Sequence, residues 1–339
     1  MRLPKPTQKP NGKWLIQVMV AGRRVSKEFD TADEALYWAA GIKTNQKKAE
    51  RSPAKLTVEE AIDRYIETKS SVLSPSTIRG YNGIKKSRIN EIRNVSLGDL
   101  TQEKIQRWVN SLSKRNSPKT VANAHGLIST VLREYLPDMA LHTTLPKKVR
   151  PDIKIPSEAD LRAIMKAAKG TRYELPIALA AWLGLRQSEI VGLTWDCVDG
   201  DILHVKQAVV VGEEGPVKKG TKSYAGKRDL RMPQYIQDLI AAQPKRKDRI
   251  ITISGHAIYS GFLRICEKAG VPRFRFHDLR HANASIMLSI GIPDKYSMKR
   301  MGHATNNMLK TTYQHTIKEK EQQFDALIDA EIEKILQSE

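Results

Sequence analysis

Two linker-like segments divide this chain and argue against a single continuous hydrophobic core. The first is RSPAK at residues 51–55, and the second is HTTLPKKVRPDIKIPS at residues 142–157, in which proline and lysine recur. Proline fixes its own φ and disfavours helix in the residue before it, so such segments interrupt regular structure. At 339 residues the chain also exceeds the usual size of one domain. The sequence therefore predicts three successive folded units.

The first unit, residues 1–55, has the short apolar runs and turns that are typical of a small sheet. Turn signals at residues 11–12 and 21–22 flank apolar runs at residues 14–20 and 25–29, which predicts two or three strands followed by a helix. The unit carries twelve Lys and Arg residues against five Asp and Glu residues. A solvated basic face would explain this charge, but a nucleic-acid-binding module is the favoured interpretation.

Helical signals dominate the rest of the chain. The second unit, residues 56–146, is predicted to contain four helices, at Val58–Thr68, Ser76–Glu91, Thr101–Lys114 and Ser117–Leu136. Thr57 and Glu60 predict a capping box at the start of the first. The third unit, residues 150–317, combines helices with a β-meander predicted over Ile202–Val211 and Val217–Met232. The last segment, Lys318–Gln337, has an acidic excess and an apolar helical stripe. These patterns indicate a multidomain chain that is mainly α with small β-sheets.

The formal net charge of +20, from 57 Lys and Arg residues against 37 Asp and Glu residues, favours a long polyanion as partner. An anionic membrane is the competing partner, but no lipidation signal, basic amphipathic helix, signal peptide or bilayer-spanning apolar run is found. Cys197 and Cys266 have no spacing typical of zinc sites or disulfide frameworks. The sequence therefore predicts a soluble, cytosolic protein that binds nucleic acid.

Two histidines, two arginines and a tyrosine form the most informative set of residues. HDLRH supplies His277 and Arg280, MGHATNNMLKTTYQH supplies His303 and Tyr313, and GLRQSE supplies Arg186 much earlier in the chain. Guanidinium groups can bind the oxygens of a phosphodiester, imidazoles can donate or accept protons, and a phenol can attack phosphorus. A phenol has a pKa of about 10, so attack at neutral pH requires cationic surroundings or a proton acceptor. The set predicts phosphoryl transfer on a nucleic acid.

Each member of this set also has a structural explanation when it is taken alone. Tyr313 could be a packing residue. Arg186 follows the predicted helix Leu175–Leu183, which ends at a break at Gly184, and it could neutralise the carbonyl groups of that helix end. Asp278 could pair with Arg280 or His281 in an ordinary surface cluster. The catalytic interpretation depends on their combination, in this order along the chain.

In that order the motifs resemble those of the tyrosine recombinase, or phage integrase, family. The resemblance covers residues 150–317 most strongly, and it extends by pattern to residues 56–146 and 1–55. It implies an N-terminal arm-type DNA-binding domain with a small β-sheet plus a helix, a helical SAM-like core-binding domain, and a mixed α+β catalytic domain. Two departures from the family pattern, Met301 before Gly-His and Asn283 after HDLRHA, are interpreted as packing positions.

The resemblance also implies a role for each site residue. Arg186 and Arg280 would bind the scissile phosphate, with Glu189 in a supporting role. Tyr313 would form a 3′-phosphotyrosine and release a 5′-hydroxyl group. No cofactor, ATP or metal ion is implied, because the cations of the site are side chains and no carboxylate cluster or phosphate-binding loop is found.

Proton transfer is assigned in the same way. His277 and His303 would assist by hydrogen bonding and proton transfer, and a hairpin lysine would protonate the leaving 5′ oxygen. Alignment of TKSYAGKRDLRMP on its Thr-Lys-Ser start and on Pro233 favours Lys222 among four candidates, Lys218, Lys219, Lys222 and Lys227.

The expected function is site-specific recombination that integrates or excises a phage or conjugative transposon in a bacterial cytoplasm. A type IB topoisomerase and a non-catalytic DNA-binding regulator are the alternatives. Expected partners are double-stranded DNA with crossover and arm-type sites, a homotetramer on that DNA, and an accessory excisionase or DNA-bending protein. The helix Lys318–Gln337 is expected to pack on a neighbouring protomer, because its apolar stripe requires a partner and the resembling family exchanges C-terminal segments around a tetramer. Packing of this helix back on its own catalytic unit is the alternative.

Overall fold

The structure is a computed structural model that describes residues 3–20, 23–50, 52–148, 154–220, 226–245, 248–302 and 329. The chain forms two compact units, Met1–Val149 and Arg150–Glu339. The predicted site residues Lys222, His303 and Tyr313 lie outside the described residues, as does the predicted exchange helix Lys318–Gln337, of which the structure describes only residue 329.

The first unit begins with a three-stranded antiparallel sheet in the order β1-β2-β3, formed by Thr7–Gln8, Trp14–Val20 and Arg23–Phe29. Gly12 has a φ of 79° and makes the turn between β1 and β2, as its Asn-Gly sequence predicts. Helix α1, Ala32–Glu50, follows the sheet. Because alternate strand residues share a face, Ile16 and Val18 of β2 are buried together, in one core with Ala35 and Ala39 of α1.

Four helices follow in the same unit: α2, α3, α4 and α5, at Val58–Thr68, Pro75–Ser87, Gln102–Ser113 and Pro118–Tyr135. The predicted capping box of α2 is present, with Thr57 and Glu60 bonded to each other's backbone N–H groups. The predicted helix Ser76–Glu91 is too long, because α3 ends at Ser87. The carbonyl oxygen of Arg88 instead accepts a hydrogen bond from the indole of buried Trp108, at 2.8 Å.

Two glutamines of α4 hold the chain that leaves this helical layer. Gln106 accepts a hydrogen bond from the backbone N–H of Thr144 at 2.9 Å and donates one to its carbonyl oxygen at 3.1 Å. Gln102 makes the same kind of pair with the carbonyl of Ala140 and the N–H of His142. The two side chains are one helical turn apart, so together they bind an extended segment along α4.

The second unit contains the helices α6–α12, at Glu158–Ala168, Glu174–Leu183, Gln187–Gly192, Gln234–Ala241, Gly255–Ala269, Asp278–Ser289 and Asp294–Met301. Helix α7 is at the centre of the core, because all of its residues except Trp182 are buried. Its chain therefore emerges from the interior at residues 184–186, where the first predicted site arginine lies.

The predicted meander is instead a long nested hairpin. Strands β4–β8 comprise Val198–Asp199, Ile202–Val205, Gln207–Val211, Pro216–Gly220 and Arg228–Arg231. Strand β5 lies between β4 and β8 in one sheet and pairs with both. Strands β6 and β7, which lie between β5 and β8 in the sequence, pair with each other in a separate two-stranded sheet. The apolar run at residues 202–211 is interrupted at Lys206, so its two halves pair with different parts of the returning chain. In the part of the chain that the structure describes, no helix is long and apolar enough to cross a membrane.

Candidate active site

The end of helix α7 positions the first arginine. Gly184 closes α7 with a φ of 65°, a left-handed conformation that favours glycine, and Arg186 follows as the residue that begins α8. The carboxylate of Glu189 accepts a hydrogen bond from the backbone N–H of Arg186 at 2.9 Å and another from its guanidinium at 2.7 Å. Local sequence therefore holds Arg186, whose side chain remains 31% exposed and open to a ligand.

Glu189 has a second cationic partner, Arg228 on strand β8. Nη2 of Arg228 lies 2.9 Å from Oε2 of Glu189, and Nη1 lies 3.2 Å from Oε1. Both side chains are only 3% exposed. Burial alone would raise the pKa of Glu189, but the hydrogen bond and charge of Arg228, together with Arg186, outweigh burial and lower it. The carboxylate is therefore ionised at neutral pH between two guanidinium groups.

Arg280 on helix α11 approaches the same place from the other side. The residue is 1% exposed, and its guanidinium donates to the carbonyl oxygens of Gly184 and Met301. Nη2 of Arg186 donates to the next carbonyl along the chain, that of Gly302, at 2.9 Å. The two predicted phosphate-binding arginines are thus brought together at the C-terminal end of α12, directly before the predicted His303.

His277 precedes α11 and lies against His281, with ring centroids 4.8 Å apart and the rings nearly perpendicular. The pKa of His277 is lowered to about 4 by the surrounding protein atoms first, and then by the charges of His281, Arg280 and Arg186. The residue is nevertheless exposed to solvent at the surface of the site. The imidazole is therefore neutral at neutral pH and able to exchange hydrogen bonds with a ligand.

Asp278 does not pair with Arg280 or His281, the alternative that the sequence left open. Its buried carboxylate accepts hydrogen bonds from the backbone and side chain of Arg275, with the shortest distances at 2.7 Å. Asn283, interpreted from the sequence as a packing position, is buried and also donates a hydrogen bond to the carbonyl of Trp182 at 3.1 Å. Asp278 is thus paired with Arg275, two residues before the HDLRHA motif, while Arg280 donates to the carbonyls of Gly184 and Met301.

The flanks of two predicted site residues are described even though the residues themselves are not. Strand β7 ends at Gly220 and β8 begins at Arg228, so these two described strands flank Lys222 in the sequence. Gly302 has a φ of 62° and ends α12 immediately before His303. Within the described ranges, no group of three or more His, Cys, Asp or Glu side chains is arranged to hold a metal ion.

Two family models match the chain. The phage integrase family model matches residues 156–320, and the model for the phage integrase N-terminal SAM-like domain matches residues 57–113. The chain belongs to the phage integrase family. The family expected from the motifs is thereby confirmed, and with it site-specific DNA recombination as the activity of the chain.

Individual relatives of this integrase family are distant but long. The chain is 27% identical over 259 residues to a putative prophage phiRv2 integrase of Mycobacterium tuberculosis, covering 68% of this chain and 67% of that protein. It is 23% identical over 305 residues to a XerC-like tyrosine recombinase of Caldanaerobacter subterraneus, covering 75% and 78%. Phage integrases and tyrosine recombinases are therefore both among its relatives.

Solved integrase structures share the fold. The Tn1549 transposon integrase in complex with transposon right end DNA matches with a TM-score of 0.63 and 17% identity, over 79% of this chain and 99% of that chain. The lambda integrase tetramer bound to a Holliday junction matches with a TM-score of 0.59 and 18% identity, over 92% and 95%. The expected fold class, mainly helical with small antiparallel sheets, is confirmed.

Sequence reasoning missed Arg228 as a member of the site. It examined the segment TKSYAGKRDLRMP only for a lysine that could protonate the leaving 5′ oxygen, and it assigned no role to the arginines. The alternation in β8 contained a usable signal, because Arg228 and Leu230 are buried whereas Asp229 and Arg231 are exposed. A basic residue on the same strand face as a core leucine requires a buried partner, and Glu189 is that partner.

Proposed function

We propose that this integrase cleaves and rejoins DNA through a 3′-phosphotyrosine on Tyr313, in order to integrate or excise a mobile element. One observation supports this proposal above all others. Arg186 and Arg280, which are far apart in the sequence, donate to the neighbouring carbonyls of Gly302 and Met301. Both guanidinium groups therefore converge on the backbone directly before His303, and Tyr313 follows His303 ten residues later in the sequence.

The chemistry follows from the charges of these groups. A phosphodiester gains negative charge on its non-bridging oxygens as a fifth oxygen approaches phosphorus, and fixed guanidinium groups stabilise that charge. Arg186 and Arg280 are the guanidinium groups that stabilise this negative charge. His277, which is neutral at neutral pH, hydrogen bonds to the phosphate. Attack by the phenol oxygen of Tyr313 forms the ester and breaks the bond to the 5′ oxygen. His303 accepts the proton that the phenol loses, and Lys222 donates the proton that the 5′ oxygen takes up.

The phosphotyrosine ester conserves the energy of the broken bond, so a 5′-hydroxyl group of another duplex can reverse the step. The reaction then requires neither ATP nor a metal ion. DNA is the polyanion that a net charge of +20 favours. The lambda integrase structures contain a dimer bound to a core site and a tetramer bound to a Holliday junction. By this likeness we assign a homotetramer on crossover DNA to this chain, in a bacterial cytoplasm and with an accessory excisionase or DNA-bending protein.

We assign one role to each of four segments of the chain. Residues 1–55 bind arm-type DNA sites, residues 56–146 bind the core site, residues 150–317 carry out catalysis, and residues 318–339 dock on a neighbouring protomer. The first assignment is supported by the exposed basic strand β3, in which Arg23, Arg24 and Lys27 all face solvent. The second is supported by the SAM-like family model over residues 57–113.

The direct test is covalent trapping of the protein on DNA. Wild-type protein is incubated, in EDTA and without ATP, with a nicked duplex taken from the boundary of the mobile element. An SDS-resistant protein–DNA adduct is expected. Tyr313→Phe should bind the same duplex but form no adduct, because only the nucleophilic oxygen is removed. Tyr296→Phe is the matched control, since Tyr296 is 56% exposed on α12 and has no assigned role.

An adduct formed by Tyr313→Phe at the wild-type yield would overturn the assignment of the nucleophile. Loss of the wild-type adduct in EDTA, with recovery on addition of magnesium, would overturn metal independence. A type IB topoisomerase would instead relax a supercoiled plasmid that carries no recombination site, without exchanging partners. Recombination that requires two specific sites is the expected result.

A further inference from the structure

Three arginines meet at the C-terminal end of helix α12. Three successive carbonyl oxygens at this end accept hydrogen bonds: Arg300 from Nε of Arg228 at 2.8 Å, Met301 from Arg280, and Gly302 from Arg186 at 2.9 Å. The last carbonyls of a helix lack partners within the helix and form the negative end of its dipole. The end of α12 is therefore fixed by cationic side chains from three other segments of the same unit.

Arg228 differs from Arg186 because its guanidinium is buried, as that of Arg280 is. Its side chain is 3% exposed, and its guanidinium is bonded to Glu189, to the carbonyl of Arg300 and, at 3.0 Å, to the carbonyl of Gly226. A guanidinium has five N–H donors in a rigid planar fork, so it can serve all of these acceptors together. All of these acceptors are protein groups, so Arg228 can influence the site through Glu189 and through the end of α12.

The way that Glu189 is shared determines what Arg186 can do. The guanidinium of Arg228 donates to both carboxylate oxygens of Glu189, at 2.9 and 3.2 Å. The side chain of Arg186 makes one hydrogen bond to Glu189, at Oε1. Without Arg228, the buried negative charge of Glu189 would be only partly neutralised, which is costly in an interior of low dielectric. Arg186 is the remaining cation, and it would turn inward to form a second bond.

We propose that Arg228 is a positioning residue for cleavage. By neutralising Glu189, it keeps the guanidinium of Arg186 partly exposed for the scissile phosphate. By holding the carbonyl of Arg300, it fixes the turn of α12 from which the chain continues into His303. This inference rests on the proposed function, because it assigns Arg228 to the same reaction.

The conservative substitution Arg228→Lys tests the proposal. Lysine keeps the charge but cannot bridge both oxygens of Glu189 and the Arg300 carbonyl with one planar group. The expected result is a loss of about tenfold to a hundredfold in the single-turnover rate of adduct formation at saturating DNA, the scale of a small misplacement of a reacting group. DNA binding should change by less than about twofold, because exposed basic residues supply that affinity.

Arg231→Lys is the matched control. Arg231 lies on the same strand, its side chain is 82% exposed, and it pairs with Asp201 at the surface. The control should retain the wild-type rate. Hydrogen exchange of α12 should be faster than wild type in Arg228→Lys and unchanged in Arg231→Lys, which checks the link to α12 without using activity.

A double-mutant cycle separates positioning from general stability. If Arg228 acts through Arg186, Arg228→Lys should cost little further rate when Arg186 is already alanine. Fully additive losses, or a wild-type rate in Arg228→Lys, would overturn the inference. Absence of an adduct in the wild-type protein would instead count against the proposed function. In that case hydrogen exchange still tests the inference, because unchanged exchange of α12 in Arg228→Lys would overturn it without any measurement of activity.

Discussion

Replacement of Gly184 by alanine is expected to disturb both the catalytic core and the site. Gly184 has a φ of 65°, and a Cβ at this position would lie 2.6 Å from Sδ of Met301 and 3.0 Å from Oδ1 of Asn283. Both neighbours are buried. The carbonyl of Gly184 also accepts a hydrogen bond from Arg280, so any shift of this turn moves the predicted phosphate-binding group.

Gly270→Ala is a control that isolates the steric part of this cost. Gly270 ends α10 with a φ of 68°, and a Cβ there meets no heavy atom of the described chain within 4 Å. Alanine in the left-handed region costs about 1 kcal/mol at either position, and the change in the freedom of the unfolded chain is also shared. Overpacking of a buried site costs about 1–3 kcal/mol more. Gly184→Ala should therefore be less stable than Gly270→Ala by that amount.

Urea unfolding followed by hydrogen exchange provides the assay, because peptides from α7 and α11 report on the catalytic unit separately from the first unit. Exchange in these peptides gives the free energy of unfolding of the catalytic unit, which is compared among the two variants and wild type. Equal losses in Gly184→Ala and Gly270→Ala would refute the close contact of Gly184 with Met301 and Asn283. A larger loss in Gly184→Ala, together with reduced adduct formation under conditions where the variant is folded, is the expected result.

Two further predictions concern a histidine and the α4 glutamines. The folded protein keeps His277 neutral down to a pKa of about 4, whereas the unfolded chain takes up its proton below about pH 6.5, so stability is lost as the pH falls between these values. In His277→Gln the acid-induced loss of unfolding free energy between pH 7.5 and 5 should be smaller than in wild type. Because His277 is exposed, the difference should be at most about 1 kcal/mol. A loss that is not smaller than in wild type would contradict this. Combined replacement of Gln102 and Gln106 by alanine should speed exchange of the amide hydrogens that they accept by about fivefold per bond, as measured by NMR.

Local signals predicted much of the fold. The capping box of Thr57 and Glu60, the turn at Gly12 and the helix end at Gly184 depend on residues close together in the chain, and all three are present. Long-range pairing was less predictable. The end of α3 depends on the indole of Trp108, twenty residues away, and the nested hairpin depends on which half of the returning strand each half of the apolar run meets.

The candidate site divides in the same way. Arg186, Glu189, His277 and Arg280 were predicted from short motifs. The structure brings the two arginines to the end of α12, with Glu189 bonded to Arg186 and with His277 close enough to both arginines for their charges to lower its pKa. Arg228 was missed because its significance comes from a carboxylate on another element, which no spacing along the chain reveals. The roles of Lys222, His303 and Tyr313 stay predictions, since these residues lie outside the described part of the chain.

The balance of charge within the site indicates what it is prepared to bind. Three guanidinium groups converge on the end of α12, and two of them, Arg186 and Arg228, share the carboxylate of Glu189. These two arginines and one glutamate carry a net positive charge. Backbone carbonyls and the helix dipole offset part of this positive excess, but they carry no full charge. Arg228 and Arg280 are buried, whereas the side chain of Arg186 is 31% exposed. An anion that arrives beside Arg186 would complete the neutralisation, so the phosphate is expected to contribute to the electrostatic stability of the site as well as to be its substrate.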